Sequence, residues 1–346
     1  MRDKIVDVIN HFGSARLIIT MFFLILVIFT FVLDLSPMTA MSDVLVRWAM
    51  NYLLVLAMIP GILSGVGLNF ASPLGITCGL LGSVLSIEFG FTGALSLIIA
   101  ILISIPISLV IGYLYGIVLN VIKGSEMMIA TYVGFAFVSV MSIVWLFLPV
   151  KNESLTMAMG NGLRTSIDLT RTFRGLLNNL FIINVGNLKI PFGFIMVCGG
   201  ITLLLMLFLN SRSGIIMCAA GENPIFSSNI GINVNKQRIL GIVLSTALSA
   251  VGIIFYAQSY GFLQMYQAPL MMAFPAVAAI LIGGATTRTA SIGNAILGSL
   301  LYNGILTLSM PVANALAPQS NLSEIVRIVA SNGIIVYALT KIKREG

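Results

Sequence analysis

Four asparagines, Asn51, Asn69, Asn294 and Asn303, lie inside long apolar runs. An uncharged amide there can donate and accept hydrogen bonds, which suits contact with a neutral polar solute. The same amide can instead bond one membrane helix to another. Phe70, Phe135 and Phe274 serve either as an apolar gate or as ordinary packing. Other chemistry has little to work with. The single histidine, His11, sits near the polar N-terminus; one histidine cannot supply the two ligands of an H-E-x-x-H zinc site, and no serine–histidine–aspartate set is evident in the sequence. Cys78, Cys198 and Cys218 are far apart, lack metal-ligand spacing and read as apolar packing residues. No metal and no cofactor is expected. No G-x-x-x-x-G-K-[ST] phosphate loop is present, so ATP is not bound that way. Glu88, Glu126 and Glu324 fall at the ends of apolar runs, whereas a proton-coupled carrier usually needs an ionisable group deep in a span. Glu324 and Arg327, three apart on a helix, are expected to pair.

The elements that position these groups are membrane helices. Of 346 residues, 58% are hydrophobic and 8% charged. The mean hydropathy is +1.07. Soluble domains are about 25% charged, so this chain belongs in membrane lipid. The formal net charge of +7 fits the positive-inside rule. No basic tract with interleaved aromatics points to nucleic acid, and that partner is rejected.

The reading is an all-α polytopic membrane protein of about ten transmembrane helices, with broken or re-entrant segments. Residues 1–16 form an amphipathic surface segment. Residues 17–33 form a first span, kept as an anchor because the run is long and no convincing small-x-small cleavage site follows. Residues 34–43 make an outer loop and 48–66 the second span. Residues 67–87, with Pro73, Gly75, Gly79 and Gly82, read as an interrupted pathway segment. Spans follow at 93–121, kinked at Pro106, and at 127–150. Residues 151–189 form a long external loop, with a surface helix expected over 172–185. Further spans cover 191–209 and 239–258. The apolar stretch 270–283 reaches only about 21 Å, too short for a core of about 30 Å, so it reads as a broken helix. Spans at 291–310 and 321–339 complete the chain. With both termini inside, eleven Lys and Arg residues from Arg2 to Arg344 lie inside. Six lie outside, Arg47 and five between Lys151 and Lys189, with Arg327 in neither set.

A short internal repeat is also visible. Pro60 followed by Leu80-Leu81-Gly82-Ser83-Val84-Leu85 parallels Pro275 followed by Ile296-Leu297-Gly298-Ser299-Leu300-Leu301. Ser125-Glu126 parallels Ser323-Glu324. Five passes per half would make the halves inverted, with a site between them at the midplane.

The most polar stretch of the C-terminal half is residues 211–238. It carries Gly221-Glu222-Asn223-Pro224-Ile225-Phe226-Ser227-Ser228 and then Gly231-Ile232-Asn233-Val234. Asn223 suits a helix cap, Pro224 a first helical position and Gly231 a helix end. This is either a helix that another protein grips or only a capped connection. The stretch resembles the cytoplasmic coupling loop of bacterial ATP-binding-cassette (ABC) importer permeases of the ribose, simple-sugar and nucleoside class. Phe274-Pro275-Ala276-Val277-Ala278-Ala279-Ile280-Leu281-Ile282-Gly283-Gly284 resembles a second motif of that family. Two departures stand out. Phe226 and Ser227 replace the family's paired alanines. Ser64-Gly65-Val66-Gly67-Leu68-Asn69-Phe70 lacks the aspartate of sugar permeases.

The resemblance implies one permease domain over residues 1–346 in the bacterial cytoplasmic membrane, with both termini cytoplasmic. Its implied partners are cytoplasmic ABC ATPase subunits at the coupling loop and an extracytoplasmic substrate-binding protein at 151–189. A second copy or a sister permease completes the pair. The chain itself is then not an enzyme. The implied cargo is a small neutral polar solute, a simple sugar first and a nucleoside second. Asn51, Asn69, Phe70, Phe274, Asn294 and Asn303 are the expected pathway residues. The alternatives are an ion- or proton-coupled secondary transporter, and a membrane enzyme or scaffold, which would need a catalytic cluster.

Overall fold

Lipid offers the backbone no hydrogen-bond partners, so long apolar runs must close their bonds internally as helices. The computed structural model describes residues 14–157 and 162–316, with residues 328, 329, 332, 333 and 336 beyond them. The expected surface segment at 1–16 and the last span at 321–339 lie almost wholly outside the described residues, as does the Glu324–Arg327 pair.

Among the described residues, six helices are long and apolar enough to cross a membrane, and three shorter apolar stretches accompany them. Helix α1 spans Ser14–Val32 and ends before Asp34 and Ser36, both at positive φ. Helix α2, Pro37–Leu56, starts on a proline, which has no N–H to satisfy at that position. The expected outer loop at 34–43 therefore shrinks to a sharp turn. Pro60 offers no N–H to Leu56, and α2 stops there. Helix α3 resumes over Met58–Leu63.

Helix α4, Ser72–Glu88, corrects the expectation of an interrupted segment, because its glycines do not break it. They are contact points. A Cβ on Gly75 would collide with the Thr246 carbonyl oxygen, and one on Gly79 with that of Ala250. Small residues let helix backbones approach in lipid, where packing drives association. The break lies instead at residues 64–71, before α4 begins.

Helices α5 (Gly93–Val121), α6 (Glu126–Phe147) and α8 (Phe192–Leu209) turn much of their apolar surface outward, as lipid-facing helices do. Helix α9 (Arg212–Glu222) and α10 (Pro224–Asn229) form the connection to α11, Val234–Tyr260. Helix α11 is the centre of the bundle and packs on α2, α4 and α5. Helices α12 (Gln267–Met271) and α13 (Ala273–Ile282) are one crossing broken at Met272, as the short apolar stretch requires. Helix α14 covers Ile292–Leu316.

The expected surface helix at 172–185 is also corrected. Only Leu176–Asn179, α7, is helical. Phe181 has φ 50, after which Ile182–Val185 (β2) pairs antiparallel with Leu188–Pro191 (β3) around Gly186 at φ 61. Strand β1, Ser166–Asp168, pairs antiparallel with β4, Phe262–Gln264, with Ile167 opposite Leu263. This ties the long loop to the C-terminal end of α11.

The chain ends fall on alternating sides. The 64–67 turn meets Gly221 and Thr287 on one side. Glu88 holds the backbone N–H groups of Lys151 and Asn152 on the other. The Pro60 and Pro275 segments both end on the Gly221 side, and the matched helices α4 and α14 both run away from it. That pair of matches is thus parallel rather than inverted.

Candidate functional site

The connection between α8 and α11 is built from caps. The Ser211 hydroxyl accepts from the Gly214 N–H at 3.3 Å and starts α9. The Asn223 side-chain oxygen accepts from the Phe226 N–H at 3.0 Å and starts α10, with Pro224 in its first turn. Gly231, at φ 87, ends it. There the Ile232 N–H donates to the Ser227 carbonyl and the Gly231 N–H to that of Ser228. These two bonds are the Schellman pattern. The Asn233 side chain then accepts from the Lys236 N–H at 3.1 Å and starts α11.

This connection is seated rather than loose. A Cβ on Gly221 would meet the Leu63 carbonyl oxygen, and one on Gly65, at φ 78, would lie 2.8 Å from the Gly221 Cα. Ser227 is buried and its hydroxyl donates to the Ala219 carbonyl at 3.1 Å. Burial pushes the half-buried Cys218 thiol up, so it stays protonated and inert. By contrast, Ile225, Phe226 and Ile230 are 76%, 60% and 59% exposed. A rigid, capped helix outside the spans therefore presents three apolar side chains to whatever meets it.

A cavity of about 560 Å³ lies beside this helix, lined by the 65–67 turn, residues 124–128, Glu222, Pro224 and Arg288. At its edge Arg238 of α11 donates to Glu126 of α6 at 2.6 Å. The other Glu126 oxygen accepts from the Gly124 N–H.

A second cavity, of about 280 Å³, lies among α2, α11, the broken α12–α13 crossing and α14. That volume is roughly nine waters' worth of liquid. Asn51 and Asn303 meet on its wall, where the Asn51 amide donates to the Asn303 oxygen at 2.9 Å. Arg47, Tyr256, Gln264, Gln267 and Tyr302 add polar groups, and Met50, Met271 and Met272 add soft apolar surface. Gln264 belongs to β4, so this cavity lies toward the end of the bundle away from α10.

The other expected pathway residues are placed differently. Asn69 is buried and donates to the Ser245 hydroxyl at 2.8 Å, a bond from the 64–71 break to α11. Asn294 sits in the first turn of α14 and accepts from Ser291, away from the cavity wall. Phe70 and Phe135 both pack on Phe274, with ring centroids 5.8 and 6.4 Å from it. The structure thus joins α6, the 64–71 segment and α13 through one aromatic cluster.

Arg47, Gln264, Gln267 and the Glu126–Arg238 pair escape a reading of the sequence alone. Each depends on segments far apart in the chain. Arg238 carried a usable signal, being a cation in the first turns of an apolar helix. Among the described residues no cluster of three metal-ligating side chains converges.

Residues 40–331 match the family described as branched-chain amino acid transport system / permease component. No curated protein matches the chain.

Proposed function

The chain belongs to the branched-chain amino acid transport system / permease component family, and is thus an ABC-type transport permease component; on that premise we propose that it is the membrane-spanning half of an importer. Cytoplasmic ABC ATPase subunits grip α10, and the spans reorient around a central path. The observation that carries this reading is the capped helix of Pro224–Asn229, with Ile225, Phe226 and Ile230 exposed and Gly221 locked against the 64–67 turn. Apolar anchors on a rigid element are what a partner's groove takes.

The positive-inside count supports placing the α10 side in the cytoplasm of a bacterial cell, together with both termini. An extracytoplasmic binding protein then meets the 151–189 loop, where the β2–β3 hairpin exposes Phe181 and Val185. A second copy or a sister permease pairs with this one.

The cargo in this reading is a small neutral polar solute, a simple sugar first and a nucleoside second. The amides Asn51, Asn303, Gln264 and Gln267 supply uncharged donors and acceptors, and Arg47 is the one charged group on that cavity wall. Nothing favours a proton-coupled carrier. Glu88 is held by backbone N–H groups and Glu126 by Arg238, both at span ends. No central carboxylate is present among the described residues.

The test is Glu222→Arg combined with Gly231→Trp. The bulky residue at positive φ costs roughly 1–2 kcal/mol and disturbs the α10 end without touching a span. The variant is expected to insert normally and to lose ATP-driven uptake. Uptake at the wild-type rate would show that α10 is not the coupling element. Sugar, nucleoside and branched-chain amino acid compared as cargo in the same assay choose among solute classes.

A further inference from the structure

We propose that Glu126 and Arg238 are positioning residues that carry movement of the coupling loop to α6, and through it to the Phe70–Phe135–Phe274 cluster. This rests on the importer reading above.

The pair is the one ion pair among the described residues, and the one side-chain hydrogen bond there between α6 and α11. Helix α6 packs mainly on α4 and is otherwise a peripheral, lipid-facing helix. Helix α11 follows α10 directly, through the Gly231 turn and the Asn233 cap, and Arg238 lies in its second turn. A displacement of α10 therefore reaches Arg238 through a short, fully bonded stretch of backbone.

The bond is poor as a surface ornament and good as a strut. Arg238 is 9% exposed, and its Nε is buried without a hydrogen-bond partner. A desolvated guanidinium has Glu126 as its compensation, so the two must move together or leave a bare charge. Glu126 is the first residue of α6, fixed in turn by the Gly124 N–H. Farther along that helix, Phe135 packs on Phe274, and Gly134 lies against the Phe70 carbonyl oxygen and the Ala71 Cα. A shift or tilt of α6 thus alters the aromatic contact between α6 and the broken α12–α13 crossing. The 560 Å³ cavity bordered by Glu126 leaves room for such a shift.

The experiment uses the full chain with its ATPase subunits in proteoliposomes and reads solute moved per ATP hydrolysed. That ratio does not change when a variant merely lowers the number of intact complexes. Glu126→Gln and Arg238→Gln are each expected to keep ATP hydrolysis and lower the ratio about tenfold, the size of an ordinary coupling between sites. The exchange Glu126→Arg with Arg238→Glu is expected to restore most of the ratio, though the Gly124 N–H loses its acceptor. Single variants with the wild-type ratio, or an exchanged pair that assembles uncoupled, would overturn the proposal. If neither single variant assembles, the exchange decides: assembled and coupled supports the strut, absent or uncoupled refutes it. The Glu222→Arg, Gly231→Trp variant is the control. If it too transports normally, the importer reading has failed rather than the strut.

Discussion

Asn51 and Asn303, which we propose to line the solute path, also make a helix contact. Their mutual bond at 2.9 Å joins α2 to α14, and the Asn303 amide also donates to the Ser299 carbonyl at 2.8 Å. Asn303→Leu removes both and leaves the Asn51 amide with the Arg47 carbonyl alone. A cost of about 1 kcal/mol in stability is expected, within the range for interhelical hydrogen bonds in membranes. If the cavity is the path, uptake per folded complex falls more than that loss explains, which transport normalised to protein amount would read. Gly75 gives a purely structural contrast. Gly75→Val pushes a side chain into the Thr246 carbonyl oxygen, which cannot swing aside, at a cost of about 3 kcal/mol. The detergent-extracted chain should lose its monodisperse peak on size exclusion. The sequence marked all four asparagines alike, because an amide in an apolar run is visible but its partner is not. Only the fold distinguishes Asn51 and Asn303, which face a cavity, from Asn69, bonded to Ser245, and from Asn294 in a helix start.

At the scale of elements, α10 was legible because its signals are local. Asn223, Pro224 and Gly231 act within a few residues of where they stand. Asn223→Ala removes the cap and costs the helix about 1 kcal/mol. Six residues hold little helix by themselves, so α10 should fray, and hydrogen exchange at Phe226 and Ser227 should quicken. Unchanged exchange would mean that the seat around Gly221, not the cap, maintains the helix. The β1–β4 pair was not legible, since Ile167 and Leu263 meet from opposite ends of a long loop and a central helix. The surface helix expected at 172–185 failed for a related reason. Its second half is a β-branched run that finds a strand partner beyond Gly186. In β1, the Thr170 hydroxyl and N–H both donate to Asp168 and hold its carboxyl below the usual carboxylate range. A lowered folded value stabilises above the unfolded pKa and is lost as pH falls through the folded one. The loop should therefore resist protease at mildly acidic pH and open only under stronger acid. Thr170→Val should move that opening to higher pH.

Across the whole molecule, the alternation of chain ends is what joins the parts into a transporter. Gly65, Gly221 and Thr287 gather on one side, with Glu88, Lys151 and the β1–β4 pair on the other. The helical spans among the described residues were legible because lipid forces every long apolar run into a helix of known rise. The interior was less so. Glycines in α4 looked like breaks and are contacts, whereas the break lies before α4 at residues 64–71, and the interruption at Ala57 follows from the missing N–H of Pro60. The central claim is that an ATPase drives this chain through α10. It is tested most directly by purifying the tagged chain from native membranes in mild detergent, reconstituting what copurifies, and measuring uptake with ATP inside the vesicles and the proton gradient collapsed. The account predicts an ATPase in the preparation and uptake that continues without the gradient and stops without ATP. A chain that purifies alone, with uptake that ignores ATP and vanishes with the gradient, would contradict it.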